Sequence, residues 1–468
     1  MRPNRPAHKN SAGAQRPPPP EATPGYSARW VAAQAISDAL TLAKSLDERF
    51  PGADGEPSQG LDARDRALAR SISTVAMRRL GTIRKALARF LEKGMPKKSG
   101  SLEGTLIGAA AQLLFMEASD HAAVDLAVRA VRNDPASAPY VALANAVLRN
   151  IARAKDEIRE ASGPFDDDTP AWLAARWKAN YGEETARAIA RANREEPTLD
   201  ISVKSDPEGW ATRLGGLVLP TGSVRLDSHV AIPDLDGYAE GEWWVQDAAA
   251  ALPARLLNVA AGDRALDLCA APGGKCSQLA LAGAIVSAVD RSAQRLKRLS
   301  ANLARLKLPA ELVVANAMTY DAPAFDATLL DAPCSATGTI RRHPDVAWTK
   351  RPGDIVSLGK LQAELLDRAV ALTKRGGMIV YCTCSLEPEE GEGQIAALMR
   401  RNPDMRRAPI DANGLGGPVP LSSVGGRAEF ITFSLDGSEG WNPASWWNAL
   451  RPGRSWTKLR PMIVKRGQ

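Results

Sequence analysis

The chain has 468 residues and carries 60 Lys and Arg against 53 Asp and Glu, a formal net charge of +7. That length exceeds one ordinary core, so two or three domains are expected, and a hydrophobic share of 44% suffices to fill them. No run of about 18 apolar residues and no apolar signal core argue for a membrane span or for secretion, while the positive balance suits an anionic partner such as nucleic acid.

Residues 1–26 are Pro-rich, with the run Pro17 to Pro20 and the cations Arg2, Arg5, Lys9 and Arg16. Such a composition builds no core, so a disordered basic tail is expected. It either touches RNA or is inert.

Residues 27–160 read as a helical bundle. Trp30, Ala33 and Ile36 lie at helical spacing, as do Leu68, Ile72, Val75 and Leu80. Pro51, Gly52, Gly55 and Pro57 break the chain between these runs. Further helices carry Leu106 with Leu113 to Met116, then Val124 to Val131, then Val141 to Ile151. Arg64, Arg66, Arg70, Arg78, Arg79 and Arg84 fall on polar faces. A basic face of this kind binds phosphates or is a solvated helical surface.

Residues 161–244 read as a linker and a small α+β module. Gly163, Pro164 and Asp166 to Asp168 form the linker, and a helical segment follows with Leu173, Trp177 and Tyr181. Short alternating runs, Leu199–Val203 and Gly216–Leu219, then suggest strands. Composition gives this module no function.

Residues 245–468 alternate strand and helix. Strand-like runs end at Leu268, Asp290, Val314, Asp331 and Tyr381, with amphipathic helices between them. Repeated βα units predict a doubly wound, mostly parallel Rossmann-like sheet, with ligands at the C-terminal ends of its strands. Three short motifs fall at those ends. They are Cys269-Ala270-Ala271-Pro272-Gly273-Gly274-Lys275, Asp331-Ala332-Pro333-Cys334-Ser335 and Tyr381-Cys382-Thr383-Cys384-Ser385. Past Asn402, Glu429–Phe433 is a possible strand. Trp441, Trp446, Trp447 and Trp456 lie among Arg451, Arg454, Lys458 and Arg460, packing the sheet edge or stacking nucleobases.

Gly273-Gly274 lets backbone approach a nucleotide-like ligand closely, and Pro272 stiffens the turn. The string lacks both the G-x-G-x-x-G spacing and the G-K-[ST] ending. Asp290, closing the second strand, is placed to take a ribose diol or to cap the next helix. All five cysteines, an odd number, lie between Cys269 and Cys384. With no export signal they are expected to be reduced, in the cytoplasm. Zinc prefers C-x-x-C pairs, and the chain has 4 His, so no metal is expected. On a strand, Cys382 and Cys384 share a face with Thr383 opposite. A nucleophilic cysteine needs its thiolate stabilised, for which Lys275, Arg341 and Arg342 are the nearby cations in sequence.

Two resemblances follow from these strings. Arg64 to Arg70, Leu113-Leu114-Phe115 followed by His121-Ala122-Ala123-Val124, and Asn145 to Arg149 are similar to the NusB family, a helical RNA-binding fold. In that pattern His121 packs or caps. The glycine loop, Asp331 to Gly338, and Thr383-Cys384-Ser385 with Pro388-Glu389-Glu390 resemble the RNA cytosine-5 methyltransferases of the NOL1/NOP2/Sun family.

Together they imply an all-α NusB-like bundle, a small α+β module and an α/β S-adenosylmethionine-dependent methyltransferase domain. The implied substrate is a single-stranded or flipped-out cytosine of small-subunit rRNA, and a monomer is expected. Cys384 would be the nucleophile, Cys334 would release the product, and Asp331 would hold the cytosine. The implied cofactor residues are Cys269, Ala270, Ala271, Pro272, Gly273, Gly274, Lys275, Asp290, Asn316 and Asp331. The same chemistry on tRNA or another rRNA site, and a non-catalytic ribosome-assembly factor, stay open as alternatives. Asn316 stands where the family usually has aspartate, and Gly391 where asparagine usually follows Pro-Glu-Glu. The usual closing Gly-x-Asp-Gly-Phe-Phe-like string is missing.

Overall fold

A computed structural model describes residues 23–50, 61–219, 221–227, 230–408 and 463–466. The breakers from Pro51 to Pro57, the Glu429–Phe433 run, the tryptophan-rich end and the tail as far as residue 22 lie outside these residues.

The N-terminal part is helical: α1 (Tyr26–Leu42), α2 (Leu46–Arg49), α3 (Ala63–Arg78), α4 (Leu80–Phe90), α5 (Leu102–Phe115), α6 (Asp120–Asn133), α7 (Val141–Arg153) and α8 (Lys155–Glu160). From Leu106 to Leu114 every residue of α5 is buried, which makes it the central helix. It packs against α1, α3, α6 and α7. Gly104 permits the closest approach, since a Cβ there would stand 2.3 Å from the Ala33 carbonyl oxygen of α1. Tyr26 is 1% exposed and starts α1, so the helical fold reaches into the last residue assigned to the tail.

Several expectations for this part need correction. Arg78 is 8% exposed and donates to the Arg341 carbonyl at 3.1 Å. Arg79 lies over the Phe115 ring, 4.8 Å from its centroid. Arg70 pairs with Asp47 and Arg84 with Glu103. The arginine face is therefore partly engaged within the molecule, because the rest of the chain packs on it. His121 neither packs nor caps. It is exposed in the first turn of α6, ahead of the buried stripe Ala123, Val124, Leu126 and Ala127.

The stretch read as a linker is a fixed turn. Asp168 accepts from the Thr82 N–H at 2.8 Å and from Arg194 Nε at 2.9 Å. Asp167 accepts from the Gly163 N–H at 2.7 Å and pairs with Lys85 at 3.0 Å. The stretch read as a linker because Thr82, Lys85 and Arg194, the partners of Asp168 and Asp167, lie 26 to 86 residues away in sequence. Next come α9 (Ala171–Tyr181) and α10 (Glu183–Arg194), packed on each other.

The small module holds β1 (Leu199–Val203), α11 (Pro207–Leu214), β2 (Gly216–Val218), β3 (Val224–Leu226) and β4 (Trp243–Val245). Its strands form an antiparallel sheet in the order β2-β3-β1-β4, with Ile201, Trp210, Val224 and Trp243 in its core. Asp200 of β1 is buried and satisfied by both arms of Arg225, at 2.7 and 2.8 Å.

The C-terminal part contains α12 (Leu252–Leu256), β5 (Arg264–Leu268), α13 (Gly274–Leu281), β6 (Ile285–Asp290), α14 (Ala293–Leu306), β7 (Glu311–Val314), β8 (Phe325–Asp331), α15 (Val346–Thr349), α16 (Pro352–Leu372), β9 (Thr373–Cys382), α17 (Glu392–Arg401), β10 (Met405–Ala408) and β11 (Ile463–Arg466). The sheet order is β10-β11-β9-β8-β5-β6-β7. The five strands from β9 to β7 are parallel, and β11 and β10 extend the sheet in antiparallel fashion. Strands β5 and β8 are buried along nearly their whole length, with core on both faces. Strand order reverses beside β5, so a crevice opens between the C-terminal ends of β5 and β8. Register brings Leu268 opposite Leu330 and Asp331 opposite Cys382, which aligns the three motif-bearing ends. The fold class is the expected one. No described helix is long and apolar enough to cross a membrane.

Candidate active site

The glycine loop follows β5 directly. Cys269 takes a left-handed φ of 68° and Gly273 a φ of 107°. A Cβ on Gly273 would lie 2.0 Å from Leu299 Cδ1, so glycine is what lets α14 close against the turn. Asp290, at the end of β6, is 3% exposed. Its carboxylate accepts from the Ala271 N–H at 3.3 Å and the Ser292 N–H at 2.9 Å, and pairs with Arg295 at 3.1 Å. It thus ties the loop to the start of α14.

Beside this loop lies a cavity of about 390 Å³, within the range of small-ligand sites. Pro272, Gly273, Gly274 and Lys275 line one side. Asp331, Cys382, Thr383 and Cys384 line another, and Thr339, Arg342 and His343 a third. Gln246 and Asp247, delivered by the end of β4, complete it. Gln246 also bonds Gln278 of α13 at 2.8 Å, so the small module is a wall of the site.

The cysteine segments are stitched together. Cys334 and Cys384 have their sulfurs 3.3 Å apart. The Ala332 N–H donates to the Cys382 carbonyl and the Gly338 N–H to the Cys384 carbonyl, each at 3.0 Å. Glu390, 0% exposed, joins the residues that follow each cysteine. It accepts from the Ser335 N–H at 2.9 Å, from the Ser335 hydroxyl, from the Ser385 hydroxyl at 2.5 Å and from Gln362 at 3.0 Å. Four donors suit a carboxylate, which only accepts. One buried carboxylate therefore fixes the spacing of the two thiols.

Charge is also organised here. Lys275 pairs with Asp331 at 2.9 Å. Asp267 of β5 is fully buried on the same cavity, and neither of its oxygens has a hydrogen-bond partner among the described residues. Burial, reinforced by Asp331 and offset by Lys275, pushes its carboxyl up to about 8. Burial first, then Asp331, Asp267 and Asp290, pushes the Cys269 thiol up to about 12. Burial holds Cys276 and Cys382 well above the ordinary thiol range. These three are poor nucleophiles, since the thiolate is the reactive form.

The structure brings Ala270, Pro272, Gly273, Gly274, Lys275, Asp331 and Cys384 to one cavity. Cys269 and Ala271 belong to the same loop, and Cys334 touches Cys384. Asp290 acts on the loop through Ala271. Asn316 is exposed just beyond β7, and its side-chain oxygen accepts from the Met318 N–H at 3.1 Å. Strand β9 ends at Cys382, the chain bends at Cys384, and Cys382, Thr383 and Cys384 all line the cavity. One expectation fails. Arg341 supplies no charge to the thiols, because its guanidinium is buried against the Glu196 carbonyl at 2.7 Å. Sequence reasoning missed Asp267, Gln246, Asp247 and His343. For Asp267 the signal was an acid inside the apolar run Leu266-Asp267-Leu268, one residue before the loop.

A sheet with this strand order and a glycine turn after its first central strand is a Rossmann-like domain, here with two thiols at its strand ends, and its family is that of methyltransferases. A family model for the 16S rRNA methyltransferases RsmB/F matches residues 254–418, and the NusB family model matches residues 26–153. The ribosomal RNA small subunit methyltransferase B of Yersinia enterocolitica is 35% identical over 396 residues, spanning 81% of this chain and 91% of the relative. That of Cronobacter sakazakii is 34% identical over 423 residues, spanning 86% and 96%. The solved structure of PH0851 shares the fold with a TM-score of 0.67 at 22% identity, covering 95% of this chain and 100% of its own. The chain belongs to the ribosomal RNA small subunit methyltransferase B family.

Its cofactor is S-adenosylmethionine, and the residues present fit that molecule. The cofactor carries a sulfonium and an ammonium, and Asp267 offers a buried carboxyl group with no hydrogen-bond partner among the described residues, on the cavity beside the glycine loop.

Proposed function

We propose that this protein methylates carbon 5 of a cytosine in 16S rRNA through a covalent bond between Cys384 and C6 of the base. The observation that carries this reading is the pair of sulfurs 3.3 Å apart at the ends of β8 and β9, with Cys384 lining the same cavity as the glycine loop, Lys275 and Asp331. Cys269 to Lys275, Asp290, Asn316 and Asp331 hold the cofactor in this reading.

Cytosine C5 is a poor nucleophile. Addition of the Cys384 thiolate forms an S–C6 bond and makes C5 enamine-like. When bound, S-adenosylmethionine would supply C5 with a methyl group made electrophilic by its sulfonium and would leave as S-adenosylhomocysteine. Asp331, fixed by Lys275, holds the ring through its amino group, and the Lys275 ammonium beside it offsets the negative charge that the addition places on the base. Loss of the C5 proton to a base then breaks the S–C6 bond and returns the thiolate, a release assigned to Cys334. A stacked base hides C6, so the target is single-stranded or flipped out. The enzyme works as a monomer in the cytoplasm.

Bisulfite sequencing tests this reading. 16S rRNA incubated with the protein and S-adenosylmethionine is expected to gain one conversion-resistant cytosine. Methyl incorporation without a resistant cytosine would place the methyl group on another atom and overturn it.

A further inference from the structure

The segment from Thr339 to Thr349 belongs to the catalytic part by sequence, yet the helical part grips it. Arg78 of α3 donates to the Arg341 carbonyl at 3.1 Å. Trp348 Nε1 donates to the Met77 carbonyl at 2.9 Å. The Leu46 N–H of α2 donates to Asp345 at 3.3 Å, and Asp47 pairs with His343 Nδ1 at 3.0 Å. The same segment gives Thr339, Arg342 and His343 to the cavity that holds Cys384. The helical part thus helps set one wall of the active site.

His343 is the informative member. Its side chain is 29% exposed, and among the described residues its Nε2 has no hydrogen-bond partner, while Nδ1 is committed to Asp47. A carboxylate on Nδ1 fixes the orientation of the ring. The group beside it in the wall is the Arg342 guanidinium, paired to Asp247 at 2.9 Å. A segment that brings an imidazole and a guanidinium to the cavity that Cys384 also lines suits a polyanionic strand.

We propose that His343 contacts a phosphodiester of the RNA strand entering this cavity, and that Asp47 of the helical part is the positioning residue that aims it. This rests on the reading of the protein as an RNA methyltransferase. It gives the helical part a role inside the active site as well as any role in gripping RNA elsewhere.

The test uses the full chain and steady-state methyl transfer to 16S rRNA, with His343→Ala, Asp47→Ala and Asp47→Asn. Both alanine variants should raise the KM for RNA roughly ten-fold, as loss of a charge-assisted contact does. Turnover at saturating RNA and affinity for S-adenosylhomocysteine should stay close to wild type. Asp47→Asn, which keeps a hydrogen-bonding side chain, should restore part of the loss. Asp47→Ala should add little in the His343→Ala background. The slope of log KM against log salt should fall by about 0.7 in His343→Ala, the value for one phosphate contact on a single strand. A wild-type KM in both alanine variants, or a raised KM with an unchanged salt slope, would overturn the inference. A wild-type protein that methylates no RNA would instead sink the function on which the inference rests.

Discussion

At the scale of single residues, two buried carboxylates do different work. Glu390 ties the cysteine segments together, and its test is the shape-keeping amide. In Glu390→Gln the amide oxygen can serve the Ser335 N–H and Gln362, but the amide nitrogen forces both serine hydroxyls to turn and accept. We expect a loss of about 1–3 kcal/mol in urea unfolding, the cost of disturbing a buried polar network, and a lower kcat with unchanged cofactor affinity. Wild-type turnover in this variant would show that the spacing of the thiols does not depend on the carboxylate. Asp267 is a matter of pH. Its carboxyl, pushed up to about 8 by burial, keeps a proton that the unfolded chain releases near about 3.9. The cofactor-free protein therefore loses stability as pH rises between those values. Pairing with a cationic cofactor needs the ionised form, so affinity for S-adenosylmethionine should strengthen as pH rises from 6 toward 8. Calorimetric titration should find that dependence flattened in Asp267→Asn. The same slope in that variant would remove Asp267 from the cofactor site.

At the scale of elements, the segment carrying the nucleophile is clamped from outside by α9. Arg176 pairs with Glu387 at 2.5 Å and Glu389 at 2.6 Å. Trp177 Nε1 donates to Glu387 at 3.3 Å, and the Tyr181 hydroxyl donates to the Leu386 carbonyl. Burial raises the Glu387 carboxyl, and Arg176 works against that rise. Arg176→Met strands this carboxylate without its cation and should cost about 3 kcal/mol in stability. It should also lower kcat more than it raises the KM for RNA, since the clamp acts on Cys384 and not on the RNA path. An unchanged kcat would make the clamp purely structural. Strands β8 and β9 were legible because apolar runs precede Asp331 and Cys382. The role of α9 was not, because its contacts span 205 to 213 residues and leave no local pattern. The aspartates from Asp166 to Asp168 misled for the same reason.

At the scale of the whole molecule, three sequence segments meet at one cavity. The β4 end supplies Gln246 and Asp247, the sheet supplies the loop and the thiols, and the helical part supports His343 through Asp47. The sheet and its motif positions could be read from periodicity, since strand ends in a doubly wound fold have one place to go. The convergence of the other two could not, because which faces pack together is decided by shape and by partners far apart in sequence. The central claim remains the bond between Cys384 and the base, and trapping it is the most direct measurement. Cys334→Ala incubated with 16S rRNA and S-adenosylmethionine should accumulate a protein–RNA adduct that survives denaturing electrophoresis, and adding Cys384→Ala to the same chain should abolish it. An adduct that persists without Cys384, or full turnover by the double variant, would contradict the account.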